Sequence, residues 1–148
     1  VFYLKTLKAP IPRPNDEAIA GGLIFQTMGC EKCHRQTFQT GLSDVSVLIG
    51  KIFHPYTDLL LHDMGPALDD GYTEGTALTS EWRTPPLWGL GLSKNSQGGE
   101  YFLLHDGRAR SIEEAIMLHG GEGTSSKENF QSLTADEKKK LIRLLESL

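Results

Sequence analysis

The sequence predicts an all-α fold with long loops, on three observations. Capped helical segments bracket the chain, a third short one lies between them, and the two longest remaining stretches, 35–61 and 65–104, are rich in Gly, Pro, Thr and Ser. So much irregular chain is rare in a compact domain unless something besides secondary structure organises it. With 148 residues, the chain can bury one hydrophobic core but hardly two.

Residues 1–8 read as the closing turns of a helix, and Ala9-Pro10-Ile11-Pro12-Arg13-Pro14 breaks it. Residues 1–14 are therefore expected to be a residual helix end and Pro-rich linker from an upstream domain, with 15–148 forming the domain proper. Asn15 is placed to cap a helix whose first turn carries Asp16 and Glu17. That helix should run to about Met28 and stop at Gly29, with Ile19, Leu23, Ile24 and the small Gly21 and Gly22 packing on another helix. Ser111-Ile112-Glu113-Glu114 has the form of a capping box and opens a short helix that Gly120-Gly121 should end. Another box, Thr134-Ala135-Asp136-Glu137, starts a C-terminal helix with Leu141, Ile142, Leu144, Leu145 and Leu148 at helical spacing.

Composition excludes several classes of function. Apolar residues at 39% and charged residues at 23% are ordinary for a globular chain and rule out a wholly disordered or fibrous one. A formal net charge of -4 offers none of the clustered basic surface that nucleic acid requires, so no nucleic-acid partner is expected. No apolar run is long enough to span a membrane, and the first residues lack the order of a signal peptide.

The chemistry concentrates in Cys30-Glu31-Lys32-Cys33-His34, which contains both cysteines of the chain. Two thiols three residues apart with a histidine immediately after are the attachment signature of a c-type haem. In one turn the thiols reach the two vinyl groups while the imidazole of His34 becomes the proximal iron ligand. A covalent haem with its large apolar surface would also organise the long loops. Three other readings compete. A thioredoxin-like dithiol would need a preceding strand, where a helix is expected. A zinc site would need two more ligands, for which His54 and His62 lack the usual finger spacing. A disulfide between residues so close is strained.

A second axial ligand has candidates in His54, His62, His105, His119, Met28, Met64 and Met117. Ile112, Ala115, Ile116 and His119 fall at i, i+3, i+4 and i+7, so His119 lies on the apolar stripe of its helix. A histidine on such a stripe is ordinarily a core residue, but a haem to be capped makes it the favoured ligand. Met64, in the loop Asp63-Met64-Gly65-Pro66, is its rival. Arg83, Arg108 and Arg110 stand in segments expected to cover a haem, and their guanidinium forks suit propionate carboxylates. Arg83 and Arg108 are taken as cofactor-binding candidates. Trp82 and Trp88 read as packing first and as an electron conduit second.

Four blocks together carry a family resemblance: Phe25 with Cys30-Glu31-Lys32-Cys33-His34, Tyr56-Thr57-Asp58-Leu59-Leu60-Leu61-His62-Asp63-Met64-Gly65, Glu81-Trp82-Arg83-Thr84-Pro85-Pro86-Leu87-Trp88-Gly89, and Leu104-His105-Asp106-Gly107-Arg108-Ala109-Arg110. Over residues 4–148 the chain resembles the C-terminal haem domain of the diheme oxidoreductases once described as thiol oxidoreductases, relatives of the bacterial diheme cytochrome c peroxidases. The resemblance implies a cytochrome c-like domain with one haem c. A second haem would sit in an upstream domain of the same protein, since this chain has no second attachment motif. In the peroxidase relatives the distal Met of the electron-transferring haem falls at the position of His119. The relative that matures methylamine dehydrogenase has Tyr there. His34 and His119 would then be the iron ligands, with a lower potential than His/Met ligation gives. The expected function is electron transfer in a diheme peroxidase-like oxidoreductase, with a redox partner protein or small electron donor, in the periplasm. A stand-alone monohaem carrier and a zinc-stabilised binding module are the alternatives.

Overall fold

The computed structural model describes residues 2–148. Its order is α1 (Phe2–Lys5), α2 (Asp16–Thr27), β1 (Phe38–Gln39), β2 (Ile52–Phe53), β3 (Leu61–Asp63), β4 (Glu81–Arg83), α3 (Leu90–Ser96), α4 (Ile112–Leu118), α5 (Thr124–Ser132) and α6 (Ala135–Ser147), with four 3₁₀ turns between them. The all-α expectation is corrected. The fold is mixed, because β1 pairs with β2 and β3 with β4 in two small antiparallel sheets. Strands of two or three residues are too short to show alternation in sequence. β1, β2 and β4 lie inside stretches expected to be irregular, and β3 begins at the end of one.

The crossing of α2 with α6 is the largest contact between elements. Asn15 caps α2 by accepting from the Ala18 N–H at 2.9 Å, and Thr134 and Glu137 complete the capping box of α6. The face α2 buries is Ala18, Gly21 and Phe25, whereas Ile19 and Leu23 are exposed. Of the predicted face, Gly21 and Ile24 pack while Ile19, Leu23 and Gly22 do not; register is set by Gly21, where a Cβ would run into the Lys140 carbonyl and meet Leu144 Cβ at 3.1 Å. Only glycine allows the backbones to approach so closely. Gly22 faces open space.

The core consists of Phe25, Met28, Ile112, Phe130, Leu141, Leu144, Leu145 and Leu148. Each such side chain stabilises the fold by about 1.5–3 kcal/mol on burial. Phe130 comes from α5, a polar helix that the sequence reading passed over, as it did α3. Among the described residues no helix is long and apolar enough to cross a membrane.

Candidate functional site

The Cys-x-x-Cys-His segment is presented by the end of α2. Gly29, at φ +83°, takes the left-handed conformation that closes the helix, and its N–H donates to Gln26 O. A 3₁₀ turn over Cys30–Lys32 follows, and the His34 N–H donates to Cys30 O at 2.9 Å. Cys30, Cys33 and His34 thus lie on one tight turn. Both thiols are free and half-buried. Burial pushes the Cys30 thiol up to about 11 and raises Cys33 as well. A redox dithiol needs the opposite shift.

His34 and His119 come together, with ring centroids 6.4 Å apart and planes tilted by 50°. His119 is the C-cap of α4, as far as the helix ending at Leu118 can carry it. Its Nδ1 lies 2.7 Å from Ala115 O, and His34 Nδ1 lies 3.1 Å from Tyr56 O. A carbonyl can only accept, so both Nδ1 atoms carry the proton and both Nε2 atoms are bare. That is the tautomer a metal-binding histidine adopts, with a carbonyl orienting the ring. Burial pushes His34 down to about 4 and His119 also downward, keeping both imidazoles neutral at pH 7. Tyr56, whose carbonyl orients His34, sits at φ +56°, a strained conformation for a non-glycine residue.

The Asp63–Gly65 backbone braces the segment after His119. A Cβ on Gly120 or Gly121 would collide with the carbonyls of Met64 and Asp63, so these glycines permit a close backbone approach as well as ending α4. Next to them, His62 is held between two carboxylates, Nε2 at 2.8 Å from Asp58 and Nδ1 at 2.9 Å from Glu122. Its pKa is raised, first by Glu122 and then by Asp58. His62 Nδ1 also lies 3.7 Å from Cys33 Sγ. Donor atoms of Cys33, Asp58 and His62 come within 4.8 Å of one another, and both nitrogens of His62 are engaged by carboxylates. His54 is elsewhere, bonded to Thr37 at 3.0 Å. Asp58, Glu122 and the Tyr56 carbonyl were not singled out from sequence. Their partners are 4, 60 and 22 residues away; the last two separations are long, and the i,i+4 pair Asp58–His62 lies outside any helix, where that spacing carries no signal.

Of the arginine candidates, Arg108 lies near the indole of Trp82, its guanidinium carbon 5.9 Å from the ring. It bonds Asp106 through Nε at 2.6 Å and Ala67 O through Nη1 at 2.8 Å. Arg83 is exposed and pairs across the sheet with Leu61. On β4 it therefore points to the face opposite Trp82. Arg110 lies over the Phe102 ring, and Trp88 packs against Phe53.

The sequence profile of a family described as "di-haem oxidoreductase, putative peroxidase" matches residues 1–148. The chain belongs to that family. This di-haem oxidoreductase chain is also similar in fold to a solved structure of hydrazine synthase from Kuenenia stuttgartiensis, pressurised with 20 bar xenon, at 19% identity and a TM-score of 0.52. The match covers 99% of this chain and 52% of that one, so the chain spans about half its length. No curated protein matches. Family membership makes haem the group to test against the di-haem oxidoreductase site. Two imidazoles binding one metal through Nε2 from opposite sides, at about 2 Å each, hold their centroids about 6 Å apart. The His34 and His119 pair has that separation, the required tautomers, and two free thiols on the adjoining turn. The residues fit a haem.

Proposed function

We propose that this chain is a c-type cytochrome domain that transfers single electrons through one covalent haem within a di-haem oxidoreductase. The observation that carries the proposal is the neighbouring pair His34 and His119, each with Nδ1 tied to a main-chain carbonyl, beside Cys30 and Cys33. Cys30 and Cys33 would hold the haem through thioether bonds to its two vinyl groups. His34 and His119 would hold its iron through their Nε2 atoms. A haem held there supplies a one-electron ferric/ferrous couple. The carbonyls of Tyr56 and Ala115 orient the two rings and raise the basicity of their Nε2 atoms, favouring the ferric state relative to His/Met ligation.

An iron held by both histidines would offer peroxide no open position, so peroxide chemistry would belong to a second haem in an upstream domain of the same protein. A redox partner protein or small donor supplies or receives the electrons. Haem attachment of this type points to the periplasm.

The test is expression with c-type maturation machinery, followed by intact mass measurement and acid-acetone extraction. The expected product carries the mass of one haem, keeps its pigment after extraction and shows a low-spin ferric spectrum. Pigment that extracts freely, or a polypeptide of unmodified mass, refutes the assignment.

A further inference from the structure

Trp82 is buried, about 9% exposed, and its indole Nε1 is the buried side-chain polar atom without a hydrogen-bond partner among the described residues. An orphaned buried N–H costs about 1–3 kcal/mol, and a specific orphan in a native fold calls for a missing acceptor. Trp82 pairs directly with His62 across β3 and β4. Directly opposed residues project from the same face of a sheet, with Cβ atoms about 5 Å apart. His62 touches Cys33 Sγ, so this is the face turned towards the attachment turn. The groups around Trp82 are polar but already committed or lacking an acceptor: His105 packs edge-on against the indole and directs Nε2 to Asp70 at 2.7 Å. Arg108, near the indole, spends Nε and Nη1 on Asp106 and Ala67, and among the described residues its Nη2 has no hydrogen-bond partner.

We propose that Trp82 is a haem-anchoring residue whose indole N–H donates to a propionate carboxylate, with Arg108 Nη2 as the second donor. This rests on the covalent haem proposed above. A carboxylate supplies what the cluster lacks, an acceptor for two N–H groups, and it is the polar part of a group whose remainder is apolar. The acceptor is anionic because a guanidinium stands beside the orphan. Trp82 therefore sets the proton affinity of the propionate, a role that packing alone does not explain.

The test uses the haem-loaded protein and Trp82→Phe, which keeps the ring and removes the donor. Covalent haem and the low-spin spectrum should persist. The propionate bending band in resonance Raman should move, and the pH at which the midpoint potential begins to vary should rise by about one unit. A variant with haem attached but with both readouts as in the parent protein overturns the anchoring role. Should Trp82→Phe fail to accumulate, the Trp88→Phe protein leaves Trp82 as its single tryptophan. Ultraviolet resonance Raman should then report a strongly hydrogen-bonded indole N–H, and a free N–H overturns the proposal. A parent protein without covalent haem refutes the function proposed above instead, so the two failures are distinct.

Discussion

Gly21→Ala and Gly22→Ala should change stability in opposite directions although the residues are neighbours on one helix. In α2 an alanine gains about 1 kcal/mol over glycine in helix propensity. At Gly22 nothing stands within 4 Å of the added carbon, so the full gain of about 1 kcal/mol is expected. At Gly21 the same carbon meets the Lys140 backbone and Leu144 Cβ at 3.1 Å, and a backbone carbonyl on a packed helix cannot swing aside. The helices must part, an overpacking cost of about 3 kcal/mol at the upper end of the usual range, which leaves a net loss of about 2 kcal/mol. For a chain of this size these correspond to melting temperatures roughly 6 °C lower and roughly 3 °C higher. Urea titration of both haem-loaded variants, with unchanged m, measures them. Shifts of the same sign for the two variants refute the close crossing of α2 on α6, and with it the register that places Cys30 at the end of α2.

His119→Ala should convert the low-spin ferric spectrum to a high-spin one, whereas Met64→Ala should leave it largely low-spin. Optical and EPR spectra decide, and a sulfur-to-iron charge-transfer band in the parent protein reverses the assignment. His62 has a folded-state pKa raised by Glu122 and Asp58, so its contribution is complete below the unfolded histidine value and is lost as pH rises through the folded one. Stability of His62→Gln should accordingly fall less with rising pH across that window than stability of the parent, read from urea midpoints at several pH values. Tyr56 at φ +56° should tolerate Asn or Gly but not Ile, for which a left-handed conformation costs about 1–2 kcal/mol. Since the ring of His34 is oriented by the Tyr56 carbonyl, Tyr56→Ile should also broaden the low-spin EPR signal.

What was legible in the sequence was local. Asn15, Thr134 with Glu137, and Ser111 each announce a helix start within four residues, and each cap forms. The pairing of His119 with an apolar stripe was readable for the same reason, since helical spacing carries a side chain to a known face. On the packing face of α2, Gly21 and Ile24 pack as the sequence predicts, whereas Ile19 and Leu23 are exposed because apolar character does not show which flank of a helix turns to the core. Proximity of backbones made the glycine the contact. The sheets and α3 escaped because nothing within two or three residues distinguishes a paired strand from loop, and the polar α5 offers only Phe130 to the core.

The least legible part is the second layer of the site, and the reason is chemical. His34 and His119 are oriented by main-chain carbonyls of Tyr56 and Ala115, and every residue type carries a carbonyl, so no side chain marks the role. The turn that delivers the Tyr56 carbonyl is fixed by groups equally anonymous in sequence: Thr57 N–H donates to Arg35 O, buried Thr57 Oγ1 donates to Thr84 O at 2.7 Å, and Leu87 N–H donates to Pro55 O. These bonds tie the attachment turn, the loop after Pro55 and the segment after β4 into one frame. The two short sheets belong to the same frame, since β3 and β4 set His62 beside Cys33 and Trp82 on the same face. The loop around Tyr56 therefore does for His34 what α4 does for His119, holding the ring in a fixed place, and its order depends on backbone hydrogen bonds that only the folded chain reveals.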